Sequence, residues 1–185
     1  TAKFNNVYVG GVYTIASVYE KDGPIAEYFD SIYDKNLYYG CNTFEDAEEK
    51  MLHDSIEKLL DKYKKKDADI DYVISGDLEN QIAASDYALR NFNISFLGIF
   101  SACATFGEGM LIASNFIEGK RANNIIVSTS SHNMVAERQF RNPTEYGAPK
   151  KKTTTFTSTG AASMMITNKK GKIRIGSVTC GMVQD

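Results

Sequence analysis

The sequence predicts an α/β domain in which helices cover both faces of a mixed, mostly parallel sheet. Three observations lead there. Between Tyr72 and Thr129, short apolar runs alternate with helical patterns, the arrangement that builds parallel sheets. A long amphipathic helix precedes that alternation. After it the chain changes style, with two strand-like segments around a polar turn.

Taken in order, Val7–Ile15 reads as a first strand, rich in β-branched and aromatic residues and broken by Gly10-Gly11, where a bulge is expected. Lys21–Thr43 is irregular and tyrosine-rich, with room for a short helix over Ile25–Tyr33. Thr43 can cap a helix whose apolar positions Phe44, Ala47, Met51, Ile56, Leu59, Leu60 and Tyr63 share one face. Glu45, Asp46, Glu48 and Glu49 crowd its start and Lys64-Lys65-Lys66 its end, as the helix dipole favours, and these charges read as a solvated face. His53 falls off the apolar face and reads as solvated too. Tyr72–Ser75 has the continuous apolar character of a strand covered on both faces. Ala83–Phe92 supplies a helix, Ile94–Phe100 a buried strand, Ala104–Glu118 a helix rich in small residues, and Asn124–Thr129 another strand. Ser130–Lys152 shows neither period; a segment that long is usually functional or disordered. Thr153–Thr167 and Lys172–Val183 flank Asn168-Lys169-Lys170-Gly171 and read as a hairpin.

Composition excludes several function classes. A net charge of −2 and a pI near 5.7 give no electrostatic basis for nucleic-acid binding. The 3 cysteines, Cys41, Cys103 and Cys180, match no zinc or disulfide spacing, which favours a reducing compartment. No run reaches the ~18 continuous apolar residues of a membrane span, and no signal peptide is visible. With 185 residues, 43% of them apolar, the chain can bury one ordinary core. It opens on Thr1 without an initiator Met, which reads as a trimmed or cut piece.

Cys103 is the residue best placed for chemistry. Free cysteines are mostly buried and inert, but this one stands where Ile94–Phe100 runs into the small-residue helix beginning at Ala104. First-turn amides and the positive dipole end there can stabilise a thiolate, a carboxylate or an oxyanion. Cys41 and Cys180 lack that setting and read as packing or incidental thiols.

Ser101-Ala102-Cys103-Ala104-Thr105, the helix after it, Ile117-Glu118-Gly119-Lys120 and Asn124–Thr129 resemble the nucleophile segment of the thiolase superfamily. A closer resemblance, to the stage V sporulation protein AD family, is carried by Glu20–Pro24, Gly76–Gln81, Thr129–Asn133, Glu137–Arg141 and Pro143–Gly147. The resemblance implies a thiolase-like half with a five-stranded sheet and a central buried helix after Cys103, residues 1–185 forming one N-terminal domain whose second half is absent. Catalytic groups of condensing enzymes that come from that second half would then be missing.

It further implies a non-catalytic sporulation protein that binds dipicolinic acid, as its calcium chelate, for uptake into the developing spore. Cys103, Ala104, Thr105, Asn80, Gln81, His132, Asn133, Glu137 and Arg138 are the expected ligand-binding residues, with Arg141, Phe140 and Tyr146 as further partners. No EF-hand spacing occurs, so calcium is expected only within the chelate, touching Asp77, Glu79 or Glu137; no separate cofactor or metal is expected. The expected partners are other stage V sporulation membrane proteins and a second copy paired along Ile94–Phe100. The expected location is the cytoplasmic face of the developing-spore membrane. Two other readings stand beside this one: a condensing enzyme with Cys103 as nucleophile, and a subunit that only docks membrane proteins.

Overall fold

The computed structural model describes residues 1–140 and 157–182, with side chains described as far as Glu137 in the first stretch. The principal sheet has five strands of four residues or more: β2 (Tyr8–Ala16), β4 (Tyr72–Gly76), β5 (Ser95–Gly98), β6 (Asn124–Ser131) and β7 (Gly160–Thr167). Their spatial order is β2-β7-β6-β4-β5, and only β7 runs against the other four. Two-residue strands β3 (Ser31–Ile32) and β8 (Ile173–Arg174) pair with β2. β1 (Ala2–Lys3) and β9 (Ser177–Val178) form a separate pair. The expected bulge is present, as the β2–β7 register shifts between Val9 and Gly11.

α1 (Phe44–Lys62) and α2 (Ala83–Leu89) cover one face of the sheet and α3 (Thr105–Glu118) the other. Strand alternation supplies both cores. Val73, Ile126 and Met165 face α1 with Met51, Leu52, Ile56 and Leu59, whereas Ile74, Ile125, Val127 and Ile166 face α3 with Ala113 and Ile117. Thr43 caps α1 as expected, its hydroxyl accepting from the Asp46 amide at 3.0 Å.

Several sequence expectations change. The segment with room for a short helix over Ile25–Tyr33 contains a 3-10 turn at Ala26–Tyr28 and then β3. β5 is a half-exposed edge strand rather than a buried one, with Leu97 and, just beyond, Phe100 open to solvent. α3 buries Thr105, Gly109, Ala113, Ser114 and Ile117 against the sheet, but Phe106, Met110 and Phe116 are only half-buried. Ser130–Lys152 is not without structure: β6 continues to Ser131, and α4 (Asn133–Phe140) follows with Val135 and Ala136 buried. The expected hairpin does not form. Both edges of β7 are occupied, by β2 and β6, so β8 pairs instead with Tyr8 and Val9 of β2.

Glu48 departs furthest from expectation. The charge run at the start of α1 predicts a solvated side chain here, yet Glu48 is fully buried. Its position lies on the inward stripe with Ala47, Met51, Leu52 and Ser55, and a carboxyl on that stripe goes in with the stripe. His53 is not solvated either. Its Nδ1 lies 3.0 Å from the Ala88 carbonyl and its ring 4.8 Å from that of Phe92, so it bridges α1 to α2.

Candidate functional site

In an open α/β sheet, ligands bind beyond the carboxyl ends of the strands, where successive connections leave on opposite faces. Here the chain leaves β4 for α2 on one face and leaves β5 for α3 on the other, which places the crevice at the carboxyl end of β4 and its neighbours in the sheet. A cavity of about 830 Å³ lies there. Its walls include Ala16 ending β2, Gly76 ending β4, Thr129–Ser131 ending β6, Gly160 opening β7, and Ala102, Cys103 and Thr105 before and at the start of α3.

Gly76 makes this junction possible. A Cβ there would sit 2.0 Å from the Ile99 carbonyl oxygen and 2.9 Å from Thr105 Cγ2. Only glycine lets the β5–α3 connection lie across the end of β4, where the Ile99 amide donates to the Ser75 carbonyl at 2.9 Å. The connection then turns through Ala102, which has a left-handed backbone (φ 45°). The Ser101 amide donates to Thr105 Oγ1 at 3.0 Å, and that hydroxyl donates to the Ala102 carbonyl at 2.8 Å. Cys103 is held exposed on the cavity wall. The amides of Ala104 and Thr105 already donate to the carbonyls of Ser101 and Ala102. The anion-binding capacity expected of Cys103–Thr105 is therefore not carried by those two N–H groups.

The electrostatics of the cavity are acidic. Glu20, Asp77 and Glu137 line it, and no basic side chain does so among the described residues. Asp77 is buried. Its Oδ1 accepts from the Glu79 amide at 2.8 Å and its Oδ2 from the Ser85 amide at 2.7 Å. Burial raises its pKa, and these hydrogen bonds oppose the rise. Glu20 Oε1 accepts from the Thr159 amide at 3.3 Å. Behind the wall, Glu48 Oε1 accepts from Ser130 Oγ at 3.0 Å. Burial pushes the Glu48 carboxyl well above the usual carboxylate range, and the nearby charges of Asp77 and Glu79 add to the shift.

The remaining expected site residues fall in different places. His132 is fully buried, with Nε2 2.8 Å from the Leu37 carbonyl and Nδ1 accepting from the Met134 amide at 3.2 Å. Because Nδ1 accepts, Nε2 carries the hydrogen and donates to Leu37. The ring stacks 4.9 Å from Phe44, which stacks on Tyr38. Asn133 is also buried: its amide donates to Thr159 Oγ1, and that hydroxyl donates back to Asn133 Oδ1, both at 3.0 Å. These two residues brace the wall from behind.

Asn80 and Gln81 line a neighbouring cavity of about 480 Å³ with Glu79, Ile82 and Phe100. Gln81 (φ 60°) and Ile82 (φ 53°) both have left-handed backbones, which is unusual for a β-branched residue such as Ile82. Cys103, Thr105 and Glu137 share the larger cavity, while Ala104 flanks it in the turn. The side chains of Arg138 and Phe140, and all of Arg141 and Tyr146, lie outside the described residues. Sequence reasoning missed Glu48, Ser130 and Thr159. The phase of the α1 stripe was the available signal for Glu48; nothing local marked Thr159.

Among the described residues, one group of side chains is close enough to hold a metal ion: His53, Asp54 and Glu57, with ligand atoms within 4.8 Å of one another. Lys50 and the Tyr39 hydroxyl already engage Asp54. No described helix is long and apolar enough to cross a membrane.

Comparison with known proteins agrees with this architecture. The family described as Stage V sporulation protein AD matches residues 1–185. The stage V sporulation protein AD of Bacillus subtilis (strain 168) is 40% identical over 179 residues, which cover 97% of this chain and 53% of the relative. The chain thus spans about half the length of the curated relative it matches. Among solved structures, a Xanthomonas campestris OleA is similar with a TM-score of 0.57 and 16% identity, over 90% of this chain and 59% of the other. The 3-oxoacyl-(acyl carrier protein) synthase III, FabH, of Xanthomonas oryzae pv. oryzae gives a TM-score of 0.53 and 16% identity, over 90% and 57%. At that identity the likeness shows the fold alone, which is thiolase-like.

Proposed function

Because this chain belongs to the stage V sporulation protein AD family, we propose that it works as a non-catalytic binding protein for dipicolinic acid, taken as its calcium chelate, during uptake into the developing spore. The observation that carries the reading is the acid-walled cavity at the carboxyl ends of β2, β4 and β6. A free dianion would be repelled by Glu20 and Asp77. A chelate presents calcium, which prefers hard oxygen ligands, alongside a flat apolar ring. The apolar wall at Ile15, Ala16, Phe29 and Phe106 suits the ring.

In this reading residues 1–185 are the first of two similar halves. Copies pair along β5, whose exposed edge is otherwise open to unwanted strand pairing. Membrane proteins of the same sporulation stage supply the channel, and this protein sits against the cytoplasmic face of the developing-spore membrane.

Calorimetric titration of the full-length protein with calcium dipicolinate tests the reading. Saturable heat with the chelate, and much weaker heat with dipicolinate in the presence of a calcium chelator, is the expected result. Absence of heat at millimolar chelate overturns it. The exposed thiol of Cys103 on the cavity wall favours one competing reading, an acyl-transferring condensing enzyme. That reading requires one acyl group on Cys103 after incubation with acyl-thioesters, measured by mass spectrometry; an unmodified thiol across short and long donors removes it.

A further inference from the structure

The end of the molecule opposite the cavity gathers basic residues. Three turns meet there: the one after α1 with Lys64, Lys65 and Lys66, the one after α3 with Lys120 and Arg121, and the β7–β8 turn with Lys169, Lys170 and Lys172. Hydrogen bonds tie the turns side by side. The Asn168 amide donates to the Asn123 carbonyl at 3.1 Å, the amides of Asn123 and Asn124 donate to Asp71 Oδ2 at 2.6 and 3.0 Å, and the Asn124 side-chain amide donates to the Asp69 carbonyl at 2.8 Å. These contacts join the amino ends of β4 and β6 to the carboxyl end of β7, whereas the cavity lies at the other end of the same strands.

Bases outnumber acids on this face. All of these basic side chains except the half-exposed Lys65 stand open to solvent, and none is in an ion pair among the described residues. The neighbouring acids serve backbone amides instead: Asp67 accepts from Asn93, Asp69 from Lys66, Asp71 from Asn123 and Asn124, and Glu118 from Asn5 and Asn6. Asp61, on the last turn of α1, is the exception. Helix dipoles account for bases after α1 and α3. Lys169, Lys170 and Lys172 follow a strand and have no such explanation. A chain of net charge −2 thus presents a positive face at one end. Ile173, 63% exposed on β8, adds an apolar side chain next to Lys172.

We infer that this end of the protein docks on an anionic phospholipid surface. The inference rests on the membrane location in the binding reading above and is independent of the ligand. A bilayer presents many phosphates in a plane, and lysine ammonium groups spread over three turns meet such a plane as separate point charges. A nucleic acid or an acidic peptide is gripped by bidentate arginines or in a groove. Here lysine predominates, and neither cavity reaches the face. Ile173 supplies an apolar contact for the boundary between headgroups and acyl chains. Docked this way, the protein turns its cavity away from the bilayer.

Vesicle sedimentation with the full-length protein tests it. Wild type should bind vesicles of mixed phosphatidylglycerol and phosphatidylcholine, ignore phosphatidylcholine alone, and be released by molar salt. At about fivefold per charge near an anionic surface, Lys169→Gln/Lys170→Gln and Lys120→Gln/Arg121→Gln should each lower the partition coefficient roughly twentyfold. Lys21→Gln/Lys35→Gln removes the same charge from the cavity end of β2 and β3, and should change partitioning by less than about threefold. Calorimetric titration with calcium dipicolinate should be unaltered in the first two variants, so failure of docking and failure of chelate binding are read separately. No binding to anionic vesicles at low salt, equal binding to neutral ones, or equal losses in all three variants overturns the inference. So does failure on vesicles together with binding of polyglutamate through Lys169 and Lys170, which would make the face a site for an acidic protein.

Discussion

Replacing Gly76 by alanine tests how the cavity is built. The new Cβ would lie 2.0 Å from the Ile99 carbonyl oxygen, whereas ordinary contact begins near 3.4 Å. That oxygen belongs to the backbone, and Ile99 is tied to β4 by its amide bond to Ser75. No side-chain rotation can relieve the clash. Forcing atoms into a packed site costs about 1–3 kcal/mol, and loss of the Ile99–Ser75 bond adds roughly 1 kcal/mol. The expected loss is therefore about 3 kcal/mol, a large share of the ~5–15 kcal/mol typical of a domain. Gly107→Ala is the internal control. Gly107 is exposed within α3 and a Cβ there meets nothing within 4 Å, so alanine should stabilise by about 0.5–1 kcal/mol. Urea denaturation of both variants, compared at unchanged m-value, is the assay. A Gly76→Ala cost below about 0.5 kcal/mol would refute the close crossing of the β5–α3 connection over β4, and with it the placement of Cys103.

Three further outcomes are expected. Thr43→Ala removes the hydroxyl that caps α1 at the Asp46 amide and should cost about 1 kcal/mol by chemical denaturation. Glu118 accepts from the amides of Asn5 and Asn6 at 3.0–3.1 Å, and those bonds, Asn6 first, hold its carboxyl below the ordinary value. Its contribution is complete above the ordinary glutamate pKa and is lost as pH falls through the lowered one, so acid should speed amide exchange at Asn5 and Asn6 in the wild type, with no such pH step in Glu118→Gln. Burial pushes the Cys41 thiol pKa up, while Cys103 and Cys180 are exposed; alkylation followed by mass spectrometry should therefore modify Cys41 last, and early modification of Cys41 would contradict its packing.

Glu118 also shows how far local rules reach. An acid in the last residue of α3 opposes the helix dipole, and only the arrival of Asn5 and Asn6 from the other end of the chain explains it. The Thr43 cap, the Gly10-Gly11 bulge and the two-faced burial of Val73 and Ile74 were legible because each depends on neighbours within a few residues. At the candidate site, Cys103 was legible as a strand–helix junction. The roles of its neighbours were not. His132 and Asn133 have polar side chains that suit a ligand, yet their partners are Leu37, Met134 and Thr159, and no spacing rule encodes those meetings.

By itself the sequence determined the family, the alternation of strands and helices, and the place of the Cys103 junction at the head of α3, since all three are written in local pattern and motif. The tertiary structure alone decided that β7 enters between β2 and β6 and so leaves no edge for β8. It also decided that Asp77 and Glu79, from the connection after β4, are the charged neighbours of Glu48, whose inward phase on α1 the helical period already carried. Strand edges and buried charges depend on which distant surfaces meet, and a local period records only that a surface is to be covered, not what covers it.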